Sequence, residues 1–214
     1  MVVGVNPMSL ALLKTPADFG ADIVVGDGQP LGCGLNYGGP TIGIFGARKE
    51  HVRKMPGRIV GMTADNKGNR AFCLTLSTRE QHIRRAKATS NICSNQALMA
   101  VTAAVYIALK GRAGLKKVAE ESVANAHELA LELSHLKDVR SPLFKGPFFN
   151  EFAVGLPLDA LEVDKRLLRK DVIGGAPLKL HEAGLGDAML VACTEQSDRE
   201  KRDALVAAMR VVLA

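Results

Sequence analysis

A buried strand that leads directly into a glycine-rich loop constrains the fold of this chain more than any other feature. Residues 20–46 read GADIVVGDGQPLGCGLNYGGPTIGIFG, with an apolar run at Ile23–Val25, and a further run, Ile42–Ala47, follows the loop. Together with Val2–Val5 at the start, these runs are typical of strands in a parallel sheet that is covered on both faces. The sequence therefore predicts part of an α/β sheet domain.

The loop lacks a lysine at the position where one class of enzyme requires it. Enzymes that use pyridoxal phosphate place the imine-forming lysine directly after such a strand, so that the amine projects from a rigid edge into the cofactor cleft. Here that position holds Gln29 and Pro30, and the next lysine along the loop and the following strand is Lys49, beyond the strand Ile42–Ala47. We expect a cofactor-type domain that cannot hold its cofactor covalently.

The start of the chain indicates that the sheet continues elsewhere. Three apolar strands do not complete a doubly wound sheet, and the chain begins inside the first of them. We therefore expect a fragment whose upstream strands are missing, the alternative being a small complete α/β unit. Missing strands leave an exposed sheet edge, which makes self-association possible.

Composition narrows the class of protein. Of the 214 residues, 47% are hydrophobic and only 4% aromatic, so the core must be aliphatic. No apolar run approaches the ~20 residues that cross a bilayer, and the start lacks the basic region of a signal peptide. The four cysteines, Cys33, Cys73, Cys93 and Cys193, have neither metal-ligand nor redox spacing. We expect a cytoplasmic protein with mostly buried cysteines, and leave a local role for Cys33 open.

An excess of basic residues has two interpretations. The net charge is +6, and basic residues concentrate in two clusters: Arg48, Lys49, Arg53, Lys54 and Arg58 form one, and Arg79, Arg84, Arg85 and Lys87 form the other. Each cluster is either a solvated face or a surface for an anionic partner. No aromatic residues are interleaved with them, so binding to single-stranded nucleic acid is poorly supported.

The second half of the chain predicts helices and a smaller α/β module. Ser94–Leu109 is apolar on every side, which indicates a buried helix capped by Ser94. A long amphipathic helix follows Gly111. Further predicted elements are strands at Val139–Ser141, Phe148–Leu156 and Met189–Cys193, a helix at Ala160–Lys170, and a last helix opened by a Ser197–Glu200 capping box. We predict three parts: residues 1–93 as the end of a large sheet domain, 94–111 as an interdomain helix, and 112–214 as a small α/β domain.

Several segments together resemble one known family. They are Gly20–Gly32 with Tyr37–Pro40, Pro56–Gly61, Arg79–Asn95, Gly146–Phe152 and Thr194-Glu195. These segments resemble the P-protein of the glycine cleavage system, glycine dehydrogenase (decarboxylating), and within it subunit 1 of the two-subunit form. The resemblance covers nearly the whole chain, and the block Arg79–Asn95 is its most specific part.

The resemblance implies both a fold and a reaction. The fold would be the aspartate-aminotransferase type (type I) of pyridoxal-phosphate-dependent enzyme. The reaction would be decarboxylation of glycine on pyridoxal phosphate, with transfer of the aminomethyl group to the lipoyl arm of H-protein. The catalytic subunit has its lysine where this chain has Gln29 and Pro30, and an acidic group would stand near Val3–Asn6. The resemblance therefore implies a non-catalytic subunit, inactive alone, whose partner, subunit 2, binds the cofactor.

The same resemblance suggests a cofactor-binding segment. In this fold the loop after the lysine position commonly reaches across the dimer towards the partner's cofactor phosphate, and close backbone approach requires glycine. The candidates are Tyr37, Gly38, Gly39, Pro40 and Thr41, with a simple tight turn as the alternative. The Arg79–Lys87 block either binds an anion or a partner, or supports the start of the following helix. The five histidines are dispersed, and we predict no catalytic residue and no metal site.

Two other functions stay open at this point. One is an independent protein that binds pyridoxal phosphate without a covalent bond. The other is a basic α/β domain that binds anions or nucleic acid, for which a salt-dependent association would be expected.

Overall fold

The computed structural model describes residues 1–57, 59–76, 81–88 and 96–214. These residues divide into two compact units, Met1–Leu109 and Lys110–Ala214. The boundary falls inside the segment 94–111 that was predicted as an interdomain helix, and the roles assigned to the three predicted parts stay predictions.

The first unit contains a three-stranded sheet in the order β1-β2-β3. Its strands are β1 (Val2–Gly4), β2 (Ile23–Asp27) and β3 (Gly43–Ala47). β1 and β2 are parallel, with Val3 beside Val24, but β3 runs antiparallel to β2. The predicted strands are therefore present, and the predicted parallel pairing is confirmed for β1 and β2 but wrong for β3. The expected burial of the strand Ile23–Val25 was also wrong, because its residues are half-buried or exposed. The loop of residues 28–42 contains turns and no helix to carry the chain across the sheet, and β3 returns beside β2 in the opposite direction.

A separate hairpin follows in the same unit. It consists of β4 (Ile59–Ala64) and β5 (Arg70–Thr75), which pair antiparallel. Val60 faces Leu74 and Met62 faces Phe72 across the strands, and all four side chains are more than half exposed. A short helix, α1 (Gln81–Arg84), comes after the hairpin.

The longest element is α2 (Ala97–Ser134), whose helical geometry is broken at Gly111, where φ is 59°. The helices predicted on either side of Gly111 are present, and the predicted cap Ser94 lies outside the described residues. The prediction that the first helix is buried was wrong for this chain. Met99 and Ala103 are buried, but Leu98, Val101, Val105, Ile107 and Leu109 are exposed.

Among the described residues, α2 is the one helix long and apolar enough to cross a membrane by length and composition. Core helices of water-soluble proteins meet the same criterion. The part before the break at Gly111, residues 97–110, is shorter than the ~20 residues that a spanning helix needs.

The second unit is a three-stranded antiparallel sheet with three helices. Its sheet order is β6-β8-β7, from β6 (Glu151–Gly155), β7 (Ala176–Pro177) and β8 (Ala188–Ala192). The later part of α2 is joined there by α3 (Ala160–Leu168) and α4 (Arg199–Val212). The predicted strand at Val139–Ser141 is reduced to one bridge, between Arg140 and Gly155. The proline in β7 fits its place as an edge strand.

The continuous apolar core of the chain lies in the second unit. It is formed by the inner faces of α2, α3, α4 and the sheet: Ala126, Leu129, Ala130, Leu133, Leu136, Phe152, Val154, Leu156, Ala160, Val163, Leu167, Met189, Val191, Cys193, Leu205, Ala208, Met209 and Val212. The aliphatic character expected from composition is confirmed here, because Phe152 is the one aromatic member of this set. Leu133, Val154 and Val163 are completely buried.

The start of α4 differs from the sequence prediction by one residue. Asp198 is the N-cap, and its side chain accepts a 3.0 Å hydrogen bond from the N–H of Lys201. Ser197, which was predicted to cap the helix, instead accepts a bond from the N–H of Thr194. Both residue types are good caps, so the sequence alone does not decide between neighbours.

Candidate functional site

The candidate site is the glycine-rich loop of residues 28–42, which joins β2 to β3. Its two ends are held together where the strands finish. The N–H of Gly28 donates a 2.6 Å hydrogen bond to the carbonyl of Ile42. A Cβ atom at Gly28 would lie only 2.6 Å from Cγ2 of Ile42, so this close approach requires glycine.

Asp27, the last residue of β2, adds two further bonds at the same place. Its Oδ1 accepts from the N–H of Gln29 at 2.8 Å and from the hydroxyl of Thr41 at 2.5 Å. The Thr41 oxygen in turn accepts from the N–H of Ile42 at 2.7 Å. We call Asp27, Gly28, Thr41 and Ile42 the loop neck, because their hydrogen bonds close the loop at its base.

The lysine position lies in a run of tight turns directly above the neck. The N–H of Leu31 donates to Gly28, and the N–H of Cys33 donates to the carbonyl of Gln29 at 3.1 Å. The Gln29 side chain is half-buried and donates to the carbonyl of Gly34 at 3.4 Å. Gln29 is therefore committed to contacts within the loop.

The tip of the loop has an unusual backbone. Four consecutive residues have positive φ: Asn36 at 44°, Tyr37 at 53°, Gly38 at 103° and Gly39 at 148°. The peptide between Gly39 and Pro40 is cis. The N–H of Gly38 donates to Leu35 at 2.9 Å and that of Gly39 to Asn36 at 3.3 Å. The two glycines thus provide a backbone shape, while their N–H groups are used inside the loop.

The five predicted cofactor-binding residues are consecutive in the loop but differ in availability. Tyr37 is fully exposed, and open space surrounds Gly38. Thr41 is bound to the neck through Asp27. Among these five residues, Tyr37 has a fully exposed polar side chain, and Pro40 is exposed as well. Their role in cofactor binding stays a prediction.

These residues do not fit a covalent tether for pyridoxal phosphate. An imine requires a primary amine, and the amide of Gln29 cannot form one. At the end of β1, Asn6 is the N-cap of a 3₁₀ turn, Pro7–Ala11, and accepts a 3.0 Å bond from the N–H of Met8. A neutral amide there supplies no negative charge for a pyridinium nitrogen. Gln29 and Asn6 thus supply neither the amine nor the negative charge that a covalent pyridoxal phosphate site requires.

The residues of the two basic clusters differ in their contacts and exposure. In the first cluster, Arg48 donates to the carbonyls of Gly20 and Ala21 and forms an ion pair with Asp22. It is therefore a structural residue that holds the turn before β2. In the second cluster, Arg84, Arg85 and Lys87 are exposed. Arg58 and Arg79 lie outside the described residues.

Three potential metal ligands lie together in the first unit. Asp22, Glu50 and His51 each offer an atom within 4.8 Å of the others. Asp22 is already paired with the Met1 ammonium and with Arg48. Cationic partners compete with a metal ion for the same oxygens, and the cluster carries no assignment.

The second unit has a cavity of about 360 Å³ beside the start of α4. Its lining includes Cys193, Ser197, Lys201 and Arg202. Burial raises the pKa of the Cys193 thiol, which fits a structural cysteine. Of the cysteines that the structure describes, only Cys193 is buried, whereas Cys33 is half-buried and Cys73 exposed. The expectation of mostly buried cysteines was therefore wrong for Cys73.

The architecture matches solved enzymes of the type I pyridoxal-phosphate-dependent fold. Alanine–glyoxylate aminotransferase from Nostoc sp. matches with a TM-score of 0.61 over 100% of this chain and 53% of that chain, at 18% identity. At so low an identity the match shows the fold alone. The predicted fold class is confirmed, and the assignment of the parts of this chain to domains of that fold stays a prediction.

Closer matches narrow the class to one family. A crystal structure of glycine decarboxylase (P-protein) of the glycine cleavage system, in inhibitor-bound form, is 44% identical. It has a TM-score of 0.90 and covers 99% of this chain and 48% of that chain. The family model of the glycine cleavage system P-protein matches residues 1–209. The chain belongs to the P-protein family.

The curated relatives that this chain resembles are named as one subunit type of that family. Probable glycine dehydrogenase (decarboxylating) subunit 1 of Aeropyrum pernix is 52% identical over 214 residues, which are 99% of this chain and 46% of the relative. Its counterpart in Carboxydothermus hydrogenoformans is 50% identical over 206 residues, 96% of this chain and 46% of the relative. The chain thus spans about half the length of the curated relatives it matches.

Asp27, which closes the loop neck, is not among the residues predicted from the sequence. An aspartate followed by glycine at the end of a strand is a turn signal, because its carboxylate accepts a bond from the N–H two residues later. That local bond to Gln29 was open to prediction. The bond from Thr41 was not, because it depends on the path of the intervening loop.

Proposed function

We propose that this chain belongs to the non-catalytic subunit of glycine dehydrogenase (decarboxylating). In this proposal it acts with subunit 2 and lipoyl H-protein in glycine cleavage, and the companion subunit holds the pyridoxal phosphate. The observation that carries the proposal is Gln29 at the lysine position, in a chain that matches the P-protein family along nearly its whole length. Without an amine there, the chain cannot bind the cofactor covalently.

Exposed apolar surface in the first unit supports the need for a partner. The hairpin presents Val60, Met62, Phe72 and Leu74 on one face, and α2 exposes a row of aliphatic residues before Gly111. Single exposed hydrophobic residues are common, but contiguous groups of this kind are typical of protein interfaces. The companion subunit is the partner that the names of the relatives suggest.

The loop tip is the part of this chain that we place near the companion's cofactor. A tip with four consecutive positive φ values and an exposed phenol at Tyr37 can present a hydroxyl donor to a phosphate group. The alternative, a surface turn with no ligand, predicts no effect of Tyr37 on cofactor affinity.

A cytoplasmic location fits the free cysteines Cys33, Cys73 and Cys193.

Borohydride reduction tests the absence of a tether. The chain and subunit 2 are each incubated with pyridoxal phosphate, reduced, and analysed by peptide mass spectrometry. We expect a reduced adduct on subunit 2, which serves as the positive control, and none in the segment 20–54 of this chain. An adduct at Lys49 or Lys54, or release of carbon dioxide from glycine by this chain alone, would contradict the proposal.

A substitution in the tip tests the placement of the loop. In the complex with subunit 2, Tyr37→Phe removes the phenol hydroxyl and should weaken pyridoxal phosphate binding by about 10- to 100-fold, the usual loss for one hydrogen bond to a charged group. Leu35→Ala, an exposed change in the same loop, is the control and should leave the affinity unchanged. Equal affinities for all three proteins would favour the simple turn.

A further inference from the structure

We propose that Asp27 is a positioning residue, which fixes the glycine-rich loop in the shape that meets the companion's cofactor phosphate. This inference rests on the proposed function of the loop. It goes further by assigning the shape of the tip to one carboxylate at the base of the loop.

At the loop neck, Asp27 joins the two ends of the loop. One oxygen of Asp27, Oδ1, accepts from the N–H of Gln29 at the start of the loop and from the hydroxyl of Thr41 at its end. These two donors are separated by the whole loop in sequence. A carboxylate oxygen can accept both bonds at once, so it joins the two ends through a single atom.

The two halves of the loop differ in how closely they pack against the rest of the protein. In the first half, Gly32 lies against the ring of Tyr106, where an added Cβ would come within 2.8 Å of the tyrosine Cβ. In the second half, Leu35 and Tyr37 are exposed and add no apolar packing. The return of the chain from the tip to β3 therefore depends on the Thr41 bond to Asp27 and on the main-chain bond between Gly28 and Ile42.

Asp27 takes no part in the apolar core of the chain. Its side chain is exposed and lies outside the apolar core, so its removal should leave the fold intact. We expect the affinity of the loop for its ligand to fall instead. When one end of the loop is released, the tip samples many conformations, and ligand binding must then order it into the one conformation that binds. A loss of phosphate recognition without a loss of fold is the expected signature.

The experiment compares pyridoxal phosphate with pyridoxal, which lacks the phosphate, in the complex with subunit 2. Asp27→Ala and Thr41→Val should each weaken pyridoxal phosphate about 10-fold and leave pyridoxal unchanged. Asp27→Asn and Thr41→Ser, which keep the acceptor and the hydroxyl, should restore most of the affinity. Hydrogen exchange at residues 34–41 should accelerate in the first pair only. Asp65→Ala removes another exposed aspartate that accepts from main-chain N–H groups in a turn, and should change neither affinity.

The outcomes separate this inference from the proposed function. If Tyr37→Phe weakens pyridoxal phosphate binding while Asp27→Ala changes neither the affinity ratio nor hydrogen exchange, the role of Asp27 is wrong and the placement of the loop stands. Equal weakening of both ligands by Asp27→Ala would mean a general structural effect and would also overturn the inference. If neither variant affects either ligand, the placement of the loop itself fails.

Discussion

At the scale of single residues, Arg202 links distant parts of the second unit. Its Nη1 donates to Oδ1 of Asn125 at 2.6 Å and to the carbonyl of Ser197 at 3.1 Å, and its Nη2 pairs with Glu128. The Arg202 side chain is only 7% exposed, whereas that of Glu128 is 60% exposed. The buried guanidinium is tolerated because these acceptors engage both of its terminal nitrogens, although its buried Nε has no hydrogen-bond partner. The terminal nitrogens of this cationic group beside the cavity are therefore already bound to protein groups.

Replacing Arg202 should therefore destabilise the second unit. Arg202→Met keeps the apolar stem and removes the donors to Asn125, Ser197 and Glu128. We expect the free energy of unfolding to fall by about 2 kcal/mol, less than for a fully buried pair because Glu128 is largely exposed. Urea denaturation followed by circular dichroism measures this change.

The matched control is Arg199→Met on the exposed side of the same helix. Arg199 forms a solvent-exposed pair with Asp203, one turn along α4. Such pairs contribute little, and the change should stay within about 0.5 kcal/mol. Similar losses for the two variants would show that Arg202 has no special structural role.

At the scale of secondary-structure elements, the elements that follow from local sequence patterns were predicted correctly, whereas the pairing of strands was partly missed. The apolar run Ile23–Val25 and the helical spacing after Gly111 predicted β2 and the later part of α2, because each follows from neighbouring residues. The antiparallel direction of β3 and the short edge strand β7 were missed. Both depend on strand partners that are far along the chain or on turns of irregular shape.

At the candidate site, too, some features follow from the local sequence and others depend on how the chain folds. The absence of lysine at Gln29 is readable from the sequence, since it needs only the strand and the loop that follows. The use of the Gly38 and Gly39 N–H groups inside the loop, and the bond from Thr41 to Asp27, required coordinates. The block Arg79–Asn95 was the most specific motif, but most of it lies outside the described residues, and its role stays a prediction.

The cap of α4 gives a pH-dependent prediction. Hydrogen bonding from the main chain of Lys201, and then from its side chain, lowers the pKa of Asp198 below its ordinary value of 3.8. Its stabilising effect is complete above the unfolded pKa and is lost as the pH falls through the lower folded pKa. Asp198→Ala should therefore be less stable than the unmodified chain at pH 7, and the difference should shrink below about pH 4.

Asp198→Asn provides the control for this effect. Asparagine also caps helices but does not titrate, so its capping should persist in acid. Thermal unfolding of the three proteins between pH 3 and pH 7 is the measurement. A difference between Asp198→Ala and the unmodified chain that is constant over this range would show that the carboxylate charge is unimportant.

At the scale of the whole molecule, the two units differ in how much apolar surface they bury. The second unit has a continuous core that includes the completely buried Leu133, Val154 and Leu167. In the first unit, Met62 is 73% and Phe72 64% exposed, although they lie opposite each other on the hairpin. A unit of this kind is expected to associate with other molecules through its apolar faces.

We therefore expect the chain to self-associate when it is alone in solution. Charges placed on the apolar face of the hairpin, in Met62→Glu with Phe72→Glu, should increase the monomeric fraction in sedimentation experiments. Thr63→Glu is a matched control, because Thr63 is exposed on the opposite face of β4. A monomeric unmodified chain, or an equal effect of the control, would contradict this prediction.

The setting of Gln29 has a consequence for any attempt to introduce a cofactor tether into this chain. Restoring an amine at this single position would disturb the contact with Gly34, and Pro30 would still follow in the same turn. An acid would also be needed where Asn6 now caps a helical turn. A lysine introduced at position 29 alone would therefore lack the negative charge opposite the pyridinium nitrogen, and engineering a covalent cofactor site here requires changes in both segments at once.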